Sequence, residues 1–352
     1  MNTPRVSVVI PAYNAGKTIA EAVGSVLAQS FGNLECLVID DGSTDDTGAV
    51  IERLADQDLR VRLLRHRENC NHGTARSRNL GVYAARGEFI AFLDADDAWL
   101  PDKLERQLAI MDQRPDVGLV FGDVYVSINP DPAIPMASQP LGRDPFRESI
   151  GALFGADDQA AARLMNLHLA PANFIPSPTP LVRTSLFSDG LDFAGPPRLN
   201  TMYEDFLMWR ILSMRTNFAC IQQPLAIYRV HRDSFTKQFQ VTRSVVDHMA
   251  GIEEVEQLFL HHCADWIDPD WLPILRENQK VRLVGDAHRV PWSQMSRYLK
   301  LARGYGVGSE VVKRRMRKNV FDLRYRFFRW RKSVLSSLAG RDESTRIGPD
   351  EI

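Results

Sequence analysis

Three carboxylates, Asp94, Asp96 and Asp97, close an apolar run in the decapeptide FLDADDAWLP. Like charges at this spacing repel, and their ionised forms are costly unless solvent, hydrogen bonds or a cation compensates them. A hard divalent cation meets that need, since Mg²⁺ and Mn²⁺ prefer oxygen donors, keep several waters and bridge to phosphates. Two other loops carry polar chemistry: PAYN, which is Pro11, Ala12, Tyr13 and Asn14, and DDGS, which begins at Asp40. Asp41 has the atoms to accept hydrogen bonds from a base edge or from ribose hydroxyls. The pair Glu204 and Asp205 opens a helical pattern, where negative charge complements the helix dipole by about 0.3 to 1 kcal/mol. His231 is a nitrogen donor on a loop, although a lone histidine is more often structural.

The elements that carry these residues follow one order. RVSVVIPAYN is a β-branched run that reaches a loop at Pro11, and GKTIAEAVGSVLAQSF recurs at helical spacing with Thr18 and Glu21 placed as a capping box. The pattern repeats as strand LECLVID, loop DGSTDD with Ser43 and Asp46 as a second capping box, and helix TGAVIERLAD. Strand VRLL, helix TARSRNLGVYAA, strand FIAFLD and helix LPDKLERQLAIM follow, the last with Pro101 suited to the first turn. Alternating strands and helices predict an α/β chain with a mostly parallel sheet and helices on both faces. Ligands of such sheets bind at the carboxyl ends of the strands, where PAYN, DDGS and DADD should converge. After about residue 125 the sequence becomes Pro-rich and irregular, then regular again at the helix YEDFLMWRILSM and the strand FACIQQPLAIYRVH.

Two common nucleotide motifs are excluded. GKT at 16–18 lacks the earlier glycine of a phosphate-binding P-loop, because that place is Pro11, and no G-x-G-x-x-G follows the first strand. What is left is a crevice with an acidic loop, a Tyr-Asn loop and a DxD set, which suits a nucleoside diphosphate bearing a further group.

In order and spacing, VSVVIPAYN, LVIDDGSTDDT, GTARSRNLGVYAARGEFIAFLDADD, YEDFLMWRIL and YRVHRDS resemble the family 2 glycosyltransferases of GT-A fold, from residue 5 to about 236. The resemblance implies a metal-dependent, inverting transfer from a nucleotide-sugar, most simply a UDP-sugar, to a saccharide or lipid-linked acceptor. Pro11, Ala12, Tyr13, Asn14 and Asp41 would then border the nucleobase. Asp94, Ala95 and Asp96 would form the DxD loop, with Asp96 and Asp94 holding Mn²⁺ or Mg²⁺ and His231 as a further metal or diphosphate contact. Arg76 and Arg78 would face the diphosphate, a solvated helix face being the competing reading, and Arg229 or Arg232 could meet phosphate. Asp205 would be the general base, with Glu204 beside it; 173–179 would shape the acceptor site. Rival readings are a non-catalytic glycan- or nucleotide-binding module and a sugar-phosphate nucleotidyltransferase, which normally needs a Gly-rich basic loop after the first strand.

The implied organisation is a domain over 1–236, with a nucleotide half at 1–125 and an acceptor half at 126–236, then a helical extension over 237–352. The net charge of −1 hides an uneven distribution, because 313–332 holds ten Lys or Arg against Asp322 alone. Met316, Val320, Leu323, Phe327, Trp330, Val334 and Leu338 form an apolar stripe, so 312–338 reads as a basic amphipathic helix for an anionic membrane surface. Packing on its own domain or in a homodimer would use the same stripe. Nucleic acid is not expected, since the rest of the chain is acidic. Cys36, Cys70, Cys220 and Cys263 form no CxxC pair, no stretch reaches the roughly 18 apolar residues of a membrane span, and no signal-peptide pattern opens the chain. A cytoplasmic protein, peripheral at the inner face of the membrane, is the expectation.

Overall fold

The computed structural model describes residues 3–128, 131, 141–143, 175–193, 203–232, 234, 245–263, 265, 295–304, 307 and 310. Strands β1 (Val6–Ala12), β2 (Leu34–Asp40), β3 (Val61–Arg65) and β4 (Phe89–Phe92) lie parallel in the order β3-β2-β1-β4. Their near-continuous apolar runs suit strands covered on both faces. Val6, Val8 and Ile10 of β1 enter one core with α1 (Ile19–Leu27), α2 (Thr47–Gln57) and α4 (Lys103–Gln113). Val9 points the other way, into a second core with α3 (Thr74–Ala84), α5 (Glu204–Arg215) and α6 (Val245–His262). Helices thus cover both faces, as the alternating pattern predicts.

Beyond β4 the sheet changes direction. Strand β8 (Leu181–Arg183) runs antiparallel between β4 and β6 (Val117–Ile128), β9 (Asn217–Val230) is parallel to β6, and the short β5 (Ala98–Trp99) is antiparallel to β9. Strand β7 (Leu141–Arg143) adds to β6. The sequence pattern misses β6 and β5, the first because it runs into the Pro-rich region and the second because it is two residues long.

Neither expected capping box forms. The Thr18 hydroxyl donates to the Ala15 carbonyl at 3.3 Å, and Glu21 instead pairs with Arg229. The Ser43 hydroxyl accepts the Asn14 N–H at 3.1 Å, and α2 begins at Thr47 with Asp46 at its N-cap. Pro101 precedes the first turn of α4, whose N-cap is Asp102.

Helix α3 lies tight against the sheet: a Cβ on Gly81 would come within 2.4 Å of Val9 Cγ1. The first compact unit is Met1–Asn278. The second, Gln279–Ile352, contains α7 (Met295–Gly304), in which Tyr298 and Ala302 are buried. The expected boundary at 236 and the basic stripe at 312–338 lie outside the described residues. Among those residues no helix is long and apolar enough to cross a membrane.

Candidate active site

The carboxyl ends of β1, β2 and β4 share one edge, with Ala12 opposite Asp40 and Val9 opposite Phe92. The loop after β1 is stitched to the loop after β2. Asn14, at φ 49°, accepts the Thr44 N–H through its side-chain oxygen at 2.8 Å, and Ala15 N–H donates to Thr47 Oγ1 at 2.8 Å. Gly16 N–H donates to Asp45 Oδ2 at 3.1 Å; burial would raise the Asp45 pKa, but bonds from Thr47 and Gly16 bring it below the usual range. Pro11 and Ala12 finish β1, and Tyr13 stands half exposed beyond them at 49%.

Asp41 is buried and fully engaged: Oδ1 accepts the His72 N–H and Oδ2 the Gly73 N–H, both at 2.8 Å. Its own N–H donates to the Ala12 carbonyl at 2.9 Å. It therefore fixes the turn into α3. Asp40 plays a local part, accepting the Ser43 N–H at 3.0 Å and lying 3.4 Å from Arg65 Nε.

Arg78 joins the two acidic segments. Its NH2 donates to Asp94 Oδ1 at 2.7 Å and its NH1 to Glu204 Oε1 at 2.6 Å, with the side chain only 3% exposed. Burial would lower the guanidinium pKa, but Asp94, Glu204 and Asp205 raise it above its ordinary value. Arg76, two residues earlier, is exposed and meets His72 Nδ1 at 3.3 Å. The sequence did contain a signal for this difference: Arg78 lies three residues after Ala75 and four before Val82, on the buried face of α3.

Glu204 and Asp205 start α5 directly after Tyr203, which holds the left-handed φ of 63°. Burial pushes the Glu204 carboxyl up to about 7, with Arg78 opposing and Asp205 reinforcing. Asp205 Oδ2 accepts the Ser177 hydroxyl at 2.7 Å, and Oδ1 accepts the Phe206 N–H at 2.7 Å. Ser177, in the segment expected to shape the acceptor site, touches the acidic pair; the hydroxyl alone gave no sequence signal of it.

The DxD loop is divided by burial. Asp94 and Asp96 are about 28% and 31% exposed at their side chains, whereas Asp97 has no exposure. Ala95 is buried between the first two. Burial raises Asp94, with Asp96 and Asp205 adding to it against Arg78; burial, Asp96 and Asp94 raise Asp97 well above the ordinary range. Asp97 Oδ1 accepts the Arg229 N–H at 2.8 Å while Oδ2 is buried without a partner, so Asp97 pins the loop to β9. That pairing brings His231 beside Asp96, Nε2 to Oδ2 at 3.0 Å, with His231 Nδ1 buried and unpartnered. Arg229 is buried and its guanidinium pairs with Glu21. Trp99 is also structural, donating its indole N–H to the Pro178 carbonyl at 2.8 Å.

Asp94 and Asp96 each keep one oxygen outside these hydrogen bonds. The donor chemistry of two partly exposed carboxylates with an imidazole beside one of them suits an oxygen-preferring divalent cation.

A parallel sheet with an acidic crevice at its carboxyl edge, continued by an antiparallel and mixed half, defines a GT-A type α/β domain. Residues 7–163 match the family described as Glycosyl transferase family 2. An uncharacterized glycosyltransferase of Haemophilus influenzae is 43% identical over 111 residues, which cover 32% of this chain and 44% of that protein. The Escherichia coli protein named UDP-Glc:alpha-D-GlcNAc-diphosphoundecaprenol beta-1,3-glucosyltransferase WfgD is 40% identical over 124 residues, 35% of this chain and 47% of its own length. The chain thus spans less than half the length of these relatives. The crystal structure of S. aureus TarS 1–349 in complex with UDP-GlcNAc shares the fold, with a TM-score of 0.62 at 18% identity over 86% of this chain and 81% of that one.

Proposed function

We propose that this chain transfers a sugar from a nucleotide-sugar, in the first instance a UDP-sugar, to a saccharide or lipid-linked acceptor, with inversion and with Mn²⁺ or Mg²⁺. One observation carries the reading: Arg78 ties Asp94 of the DxD loop to Glu204 of the pair that opens α5. Donor-side and acceptor-side carboxylates therefore belong to one cluster, as an in-line transfer between two substrates requires. The name of WfgD, which gives a UDP-linked donor and a diphosphoundecaprenol-linked acceptor, supports the choice of substrate classes.

Pro11, Ala12, Tyr13, Asn14 and Asp41 border the nucleobase, and the exposed Arg76 is a diphosphate contact. Asp94, Asp96 and His231 would hold the cation, which when bound offsets charge on the departing diphosphate. Asp205 takes the proton from the attacking hydroxyl. The Ser177 hydroxyl and Phe206 N–H fix its orientation. Glu204, tied to Arg78, orients that guanidinium and is the poorer candidate for base. The basic stripe at 312–338 holds the protein on an anionic membrane beside such an acceptor; removing 312–352 should release it from anionic vesicles, and unchanged binding would refute the contact.

A panel of UDP-, GDP- and dTDP-sugars with and without Mn²⁺ tests the activity, and binding of a donor without turnover toward any saccharide or lipid-linked acceptor would overturn it. Asp205→Asn should lower the transfer rate about 10²- to 10⁴-fold while donor binding is kept. Near-normal transfer would remove Asp205 from the reaction.

A further inference from the structure

The loop between β3 and α3 reads His66-Arg67-Glu68-Asn69-Cys70-Asn71-His72. Asn69, at φ 46°, turns the chain so that three alternate side chains converge. Cys70 Sγ lies 3.3 Å from His72 Nε2 and 3.9 Å from Glu68 Oε2, and the latter two are 3.7 Å apart. Pairwise contacts link the three side chains: the thiol meets the imidazole and the carboxylate, and the imidazole pairs with the carboxylate.

A single ion would engage all three donors at once, with the sulfur–carboxylate separation of 3.9 Å closing by a few tenths of an ångström. Zinc sits at about 2.3 Å from sulfur and about 2.0 to 2.2 Å from nitrogen or oxygen, so donors around a tetrahedral ion are about 3.3 to 3.7 Å from one another. We propose that Glu68, Cys70 and His72 form a binding site for a divalent ion of the zinc class. A thiolate and a carboxylate balance the two positive charges, and the imidazole completes a three-ligand set with a fourth position open to solvent, where Glu68 and Cys70 are exposed. The sulfur donor separates this site from the carboxylate-rich DxD cluster, which suits harder ions.

The His72 tautomer must change on binding. Arg76 now meets Nδ1 at 3.3 Å; with an ion at Nε2 the ring proton sits on Nδ1, and the exposed Arg76 side chain turns away. The Cys70 thiol proton leaves to solvent, so binding strengthens with rising pH. The site lies next to the crevice, because the His72 and Gly73 N–H groups hold Asp41. An ion there would stiffen the wall that Asp41 forms.

The test is a titration of the full chain, stripped with chelator, with Co²⁺ followed by optical absorption. One equivalent should bind with a sulfur-to-cobalt charge-transfer band, be displaced by Zn²⁺, and survive excess Mg²⁺. Cys70→Ser should abolish the band, and the exposed, conservative Glu68→Gln should weaken binding tenfold or more. Asp96→Ala should leave the band intact, so failure here is distinct from failure of the transferase reading. Absence of the band in the unmodified chain, or its persistence in Cys70→Ser, would overturn the proposal.

Discussion

Arg78 is a single cation facing Asp94, Glu204 and, electrostatically, Asp205. The deficit shows in Glu204, whose carboxyl is pushed up to about 7 by burial from an ordinary 4.5. Its folded pKa exceeds its unfolded pKa, so the folded protein keeps the proton between about 4.5 and 7, and stability falls as pH rises through that window. The fall is at most about 3 kcal/mol, and Glu204→Gln should flatten it in urea unfolding at pH 5, 6 and 7.5; parallel pH profiles for the two proteins would contradict this. Arg78→Gln should cost about 3 to 5 kcal/mol near neutrality, because it strands buried acids, and less at pH 5, where they can protonate. The strand-end acids are visible in the sequence because apolar runs lead into them. Arg78 is ambiguous there: its partners lie 16 and 126 positions away, and only the folded chain joins them.

Helix α3 aims Arg78, and its distance from the sheet is set by Gly81. Gly81→Ala should destabilise the protein by about 1 to 3 kcal/mol, since Val9 is backbone-anchored on the central β1 and cannot yield far. Gly24→Ala on the exposed face of α1 is the control, with nothing within 4 Å of the added carbon, and it should stabilise by about 0.5 to 1 kcal/mol. Thermal unfolding of the two variants measures both. The parallel half was legible from its period, because β1, β2 and β4 are buried apolar runs and α1, α2 and α4 bury apolar stripes against them. The other half was legible only at α5 and β9: β8 is three residues long, β5 is two, and their pairings with β4, β6 and β9 are fixed by contacts distant in sequence. One of those pairings delivers His231 to Asp96, a neighbourhood that the family resemblance implied and the local sequence pattern did not.

For the molecule as a whole, a cation and a nucleoside diphosphate should stabilise it together more than either does alone, because each offsets the charge that the other adds to the crevice. Melting curves with Mn²⁺, with UDP and with both should show an excess shift for the pair, lost in Asp96→Ala; additive shifts would contradict a shared site. The first compact unit also closes late along its own sequence. Glu204 follows Arg78 by 126 positions. At a synthesis rate of about 5 to 20 residues per second, a growing chain carries Arg78 for about 6 to 25 seconds before its second carboxylate partner exists. During that interval α3 has only Asp94 to neutralise a guanidinium destined for burial. A chain halted before residue 204 would meet the ribosome exit with its donor-side charges still facing water, which makes translation pauses between 78 and 204 the sensitive ones for this protein's yield.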